Sequence, residues 1–243
     1  MFIRTLFTAA FCLVSLIITN ESKARTPIAV ATTVQRDSAI PISTIGAKMN
    51  VGDIVFIRVK ARPFQEVASA TGTWTNHVGI VIDTSGNQPL IGESTFPFSR
   101  ATSLSRFAAR SEDGRIAIAR LKEGITHEQQ IRIRIAADER AGILYDTGFD
   151  LHSNREFCSR YVREVVKQAT GIKVGEVETF TTLLKQRPDI NLGFWKVWYF
   201  GHIPWLRETV TPASLLISPK VRLIYNGNVA ANSERLATQT QES

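Results

Sequence analysis

The stretch NHVGIVIDTSGNQPLIGEST, residues 76 to 95, constrains what this chain can fold into more than any other. Two runs rich in Val and Ile flank a Thr-Ser-Gly-Asn cluster, which is the pattern of two β-strands joined by a turn. If the chain reverses about Gly86, cross-strand partners sum to about 172, so Glu93 sits opposite Gly79 and diagonal to His77. Side chains alternate faces along a strand, so that register points His77 and Glu93 to the same side. A slip of one residue would separate them, leaving a structural strand histidine and a solvated edge carboxylate.

The rest of the chain builds around this hairpin. NVGDIVFIRVKA reads as a turn at Gly52-Asp53 followed by a buried strand, with Asp53 structural, and RIAIARL, 115 to 121, reads as another strand. THEQQIRIRIAADERAG opens on a capping box, Thr126 with Gln129 three residues on. A second such signature, Ser153 with Glu156, precedes a helix whose apolar residues Phe157, Tyr161, Val162, Val165, Val166 and Ala169 recur at helical spacing up to Gly171. VETFTTLLKQR is read as a further helix and KVRLIYNG as a last strand. Strands followed by helices imply an α+β domain, helices packed on an antiparallel sheet.

Residues 1–24 stand apart: Arg4, an apolar run of 13 residues from Leu6 to Ile18, and the small-x-small end Ser22-Lys23-Ala24. That is the three-part pattern of a secretory signal peptide, the alternative being an uncleaved anchor. A cleaved signal implies an exported, periplasmic protein. Cleavage takes away Arg4, Lys23 and Glu21, so the net charge falls from +7 to +6. Residues 25–45 read as a leader or linker, 46–226 as one domain and 227–243 as a disordered tail. The cations are scattered and no nucleic-acid motif is present, so the basic surplus argues for anionic envelope polymers or lipid headgroups and not for nucleic acid.

After cleavage Cys158 is the one cysteine left. It has no disulfide partner and is either inert and buried or reactive. The start of a helix favours a thiolate, and backbone N–H groups there can hold an oxyanion. Of the four histidines, His127 follows a helix cap, His152 lies in a turn and His202 in an aromatic stretch; His77 begins a strand that would hold its ring rigidly. Glu93, in the expected register, would orient that ring, completing a nucleophile–base–orienter set. One cysteine and dispersed histidines lack the paired spacing of a structural zinc site, so no metal is expected, and thiol acyl chemistry calls for no cofactor.

GDIVF, then NHVGIVID, then the glutamate of IGEST, then YDTGFD leading into FCSRYV resemble the permuted papain-like cysteine hydrolases of the NlpC superfamily, in particular the YebB/YiiX-like group. Histidine first and cysteine last is the permuted order. The resemblance spans roughly residues 48 to 170, with the domain reaching about 225. It implies a circularly permuted papain-like fold, with Cys158 as nucleophile, His77 as general base and Glu93 as the orienting residue. Tyr145 is a candidate for the oxyanion site or the pocket, or else a buried structural tyrosine. About 70 residues follow the cysteine helix, more than the minimal fold needs, and would reshape substrate choice. Among them FWKVWYFGHIPWL is either a core cover or a contact for acyl chains or membrane through Trp195, Trp198 and Trp205.

The implied function is an exported hydrolase that cleaves an amide or ester of the cell envelope, peptide or lipid, through a Cys158 acyl-enzyme. The alternatives are an acyltransferase with the same triad and a catalytically silent envelope-binding module.

Overall fold

The computed structural model describes residues 39–230. The expected signal peptide, most of the leader and all but the start of the tail therefore lie outside the described residues. The elements run β1 (Ile40–Pro41), α1 (Ile42–Gly46), β2 (Ile54–Val59), α2 (Arg62–Thr71), β3 (His77–Asp83), β4 (Leu90–Glu93), β5 (Arg100–Ser103), α3 (Leu104–Ala108) and β6 (Ser111–Leu121). They continue through α4 (His127–Asp138), α5 (Cys158–Thr170), β7 (Val177–Thr179), α6 (Phe180–Lys185), α7 (Gly193–Trp198), β8 (Glu208–Val210), α8 (Pro212–Leu216) and β9 (Val221–Ala230).

Seven strands form one sheet in the order β1-β9-β6-β2-β3-β4-β5, antiparallel except for the β1–β9 pair. The fold is α+β, with helices on both faces of the sheet. That is why the central strands read as unbroken apolar runs. In β2, Ile54 and Phe56 face the core under α4 and α5, whereas Val55 and Ile57 face the one under α1 and α3. Asp53, buried at the head of β2, accepts from the Asn50 amide at 2.8 Å and pairs with Arg120 of β6 at 2.7 Å, tying the two strands together.

Boundaries differ from expectation in four places. Residues 40–45, read as linker, contain β1 and all but the last residue of α1; β9 runs four residues past the expected domain end, because Arg115 and Ile116 of β6 pair with Asn228 and Gly227. Residues 177–179, read as helix, form β7 against β8, and the helix begins only at Phe180, capped by Thr179. The fourth concerns the helix of Cys158. The Thr126–Gln129 box caps α4 as expected, but the Ser153–Glu156 signature does not cap α5. Ser153 Oγ donates instead to Asp146 at 2.6 Å, and Glu156 is held in a parallel bridge with Tyr145. The helix therefore starts four residues later, with Phe157 in place of Ser153 as its N-cap and no side chain bonded to its first turn.

Candidate active site

The hairpin carries the first half of the site. Ile80 pairs with Gly92 and Val81 with Ile91, a cross-strand sum of 172, with a bulge only toward the turn at Asp83/Leu90. Glu93 is thus opposite Gly79 and diagonal to His77. His77 Nε2 lies 2.7 Å from Glu93 Oε2, both side chains fully buried. Phe64 of α2 meets the imidazole edge-on at 5.5 Å and Phe107 of α3 lies tilted against it at 5.6 Å, so the ring is clamped as well as bonded.

Glu93 has two further partners that sequence reasoning missed. Thr102 donates to Oε1 at 2.7 Å, and Arg110 donates to Oε2 at 2.6 Å. Burial opposes charge on this carboxyl, but the hydrogen bonds and charges of His77 and Arg110 outweigh it and hold the pKa down at about 2. An ionised carboxylate only accepts, so His77 Nε2 carries the proton and Nδ1 is left as the working nitrogen. Nδ1 is buried and makes no hydrogen bond of ordinary geometry within the fold.

Cys158 supplies the other half. It is the first residue of α5, buried in the wall of a cavity of about 250 Å³. Burial disfavours a charged His77, yet hydrogen bonding and charge from Cys158, then Glu93, raise its pKa above the usual value. Cys158 thus stands close enough to perturb the imidazole, whose Nδ1 is the nitrogen that Glu93 leaves open. The first-turn N–H groups of α5, free of any side-chain cap, lie at the same point.

Tyr145 is brought in by the parallel bridge to Glu156, with the Asp146 amide donating to the Glu156 carbonyl at 2.7 Å. Its buried side chain shares the cavity wall with Cys158; burial first, then the charges of Cys158 and Asp146, push its pKa well up. It stays a donor at working pH. Asp146 itself organises the loop, accepting from the Gly148 amide at 2.7 Å and from Ser153. The other histidines stand elsewhere: His152 pairs with Glu208 on the surface, His202 is exposed against the Phe200 carbonyl, and His127 is exposed at the start of α4.

The aromatic segment divides. Trp195 is buried and Trp198 binds the Thr147 carbonyl at 2.9 Å, both lining the cavity, whereas Trp205 is 44% exposed.

The chain as a whole matches a known family. The family model described as permuted papain-like amidase enzyme, YaeF/YiiX, C92 family, matches residues 48–225. The chain belongs to the permuted papain-like amidases. One relative of this chain is the uncharacterized protein YiiX of Escherichia coli strain K12, 26% identical over 173 residues that cover 71% of this chain and 84% of YiiX. A solved structure with the same fold is that of yiiX from Escherichia coli O157:H7. It aligns with TM-score 0.65 and 24% identity over 73% of this chain and 97% of that one. Its title describes that protein as a metalloprotein. Among the described residues of the present chain, no group of three or more His, Cys, Asp or Glu could hold a metal ion. Around Cys158 the uncommitted donors are one thiol and one imidazole nitrogen, fewer than a tetrahedral site takes from protein. Among the described residues no helix is long and apolar enough to cross a membrane.

Proposed function

We propose that this amidase is an exported cysteine hydrolase of the cell envelope that cleaves an acyl amide or ester through a thioester on Cys158. The observation that carries the reading is the division of labour on one imidazole: Nε2 committed to an ionised Glu93 and Nδ1 buried with no partner in the fold, beside a cysteine that shifts its titration. Thiol and imidazole form a thiolate and an imidazolium when the Sγ proton moves to Nδ1. The thiolate adds to the substrate carbonyl carbon, and the oxyanion is held by the uncapped N–H groups of α5 and by the Tyr145 hydroxyl. Nδ1–H then protonates the leaving nitrogen or oxygen as its bond to carbon breaks, giving the thioester. Water, deprotonated by Nδ1, adds to the thioester carbon. The C–S bond breaks, releasing the carboxylic acid and restoring the pair.

The secretory pattern of residues 1–24 supports export, and mapping the N-terminus of the mature protein to Arg25 checks it. The chemistry is tested by trapping. The protein is incubated with activated acyl esters and amides, quenched in acid and mapped by mass spectrometry. A hydroxylamine-labile acyl group on Cys158, absent in Cys158→Ala, is expected. Turnover without that adduct would refute covalent catalysis at this residue. Absence of both, with ligand binding retained in Cys158→Ala, would favour a silent binding module.

A further inference from the structure

The cavity beside Cys158 differs from a peptide groove in its chemistry. It is built where the segment after α5 closes over the sheet: α2 supplies Phe64 and Val67, α6 supplies Leu183 and Leu184, and α7 supplies Trp195 and Trp198. No Asp, Glu, Lys, Arg or His lines it. The polar side chains in its wall are largely committed to the fold. Asn76 exchanges two hydrogen bonds with the Val59 backbone at 2.7 and 3.0 Å. Ser159 donates to the Val210 carbonyl at 2.7 Å, and Tyr199 donates to the Gly148 carbonyl at 3.1 Å. A bound peptide brings an N–H and a C=O at every residue, and each one buried without a partner is costly. A hydrocarbon brings none. Among the buried side-chain nitrogen and oxygen atoms of the wall, Trp195 Nε1 alone lacks a partner, a single donor that one ligand oxygen would satisfy.

The opening is apolar too. Phe96 lines the cavity yet is 72% exposed, so it stands at the rim. Val197 on α7 and Phe200 just after it are 79% and 91% exposed, on the element that supplies two tryptophans to the wall. An exposed apolar residue at the rim, with further exposed apolar groups on the segment that supplies the wall tryptophans, fits a ligand delivered from a lipid phase.

We infer that the acyl group transferred to Cys158 is a hydrocarbon chain lodged in this cavity, so that the substrate is a fatty-acyl ester or amide. The inference rests on the hydrolase reading above and narrows it. The chain comes either from a bilayer lipid or from a dispersed one.

Binding tests this without depending on turnover. Full-length Cys158→Ala is titrated with a fluorescent long-chain fatty acid. Saturable binding is expected, displaced by hexadecanoate and not by acetate or a short peptide. Leu184→Trp on α6 and Val67→Phe on α2 are each expected to weaken it at least tenfold; two variants guard against one that folds poorly. With the wild type, kcat/KM on nitrophenyl esters is expected to rise about fourfold for each methylene from acetyl upward, until the cavity is full. Leu184→Trp moves that break to a shorter chain. Release of fatty acid from phospholipid vesicles supports the inference with a bilayer source, and release only from monomeric lysolipid supports it with a dispersed one. Absence of saturable binding, or binding indifferent to both wall variants, would overturn the inference. Cys158-dependent acetyl ester turnover with a flat chain-length series would also overturn it while leaving the hydrolase intact. Intact fatty-acid binding with no turnover and no adduct on Cys158 would instead overturn the hydrolase reading.

Discussion

Replacing Glu93 with Gln probes the buried heart of the site with little change of shape. The carboxylate receives three hydrogen bonds, from His77 at 2.7 Å, Thr102 at 2.7 Å and Arg110 at 2.6 Å. A glutamine oxygen still accepts, but its NH2 must face donors. The carboxyl is held at about 2 against an ordinary 4.5, and at ~1.4 kcal/mol per pH unit that difference is worth about 3 kcal/mol of folding stability. The cost of removing one member of a buried ion pair, ~3–5 kcal/mol, is of the same size. The sign follows from the depressed folded value: the contribution is complete above the unfolded value and is lost as pH falls through the folded one. Urea denaturation should therefore find Glu93→Gln less stable by about 3 kcal/mol at pH 7, with the deficit falling by about half near pH 3. A variant as stable as wild type at pH 7, or a deficit that does not change with acid, would refute the reasoning.

Other perturbations follow from the same geometry. Tyr145→Phe removes one oxyanion donor and should lower kcat by ~10²-fold with KM little changed, since the loss falls on the transition state; steady-state kinetics decides. Thr102→Val leaves a buried charged acceptor short of one bond and should cost ~1.5–3 kcal/mol in denaturant. Gly79→Ala would set a Cβ 2.5 Å from Ile91 Cγ2 and 3.0 Å from Phe107 Cε2, squeezing the strand pair that carries His77 and Glu93; it should cost ~1–3 kcal/mol and lower activity together with Tm.

How much of this was legible in the sequence depends on how local the cause is. The hairpin register was readable because a turn cluster and two apolar runs fix it without reference to anything distant, and near the site the sum of 172 holds. The helix of Cys158 was readable from its apolar spacing, but its start was not. A parallel bridge between Tyr145 and Glu156, a contact across a loop, overrides the Ser153 signature. The partners of Glu93 were missed for the same reason: β5 is the four residues RATS, with no apolar run to announce it, and Arg110 follows a five-residue helix. Helix α2 left signals, Pro63 in its first turn and Gly72 at its C-cap, that its polar composition obscured. The aromatic segment was ambiguous because its side chains serve two surroundings, Trp195 buried beside Cys158's cavity and Phe200 almost wholly exposed.

The central claim is that Cys158, His77 and Glu93 work as one unit, and the reactivity of the thiol tests it most directly. Alkylation by iodoacetamide at pH 6, read on the Cys158 peptide by mass spectrometry, should be much faster than for a simple free thiol and should slow at least tenfold in His77→Ala. Equal rates in wild type and His77→Ala would contradict the account.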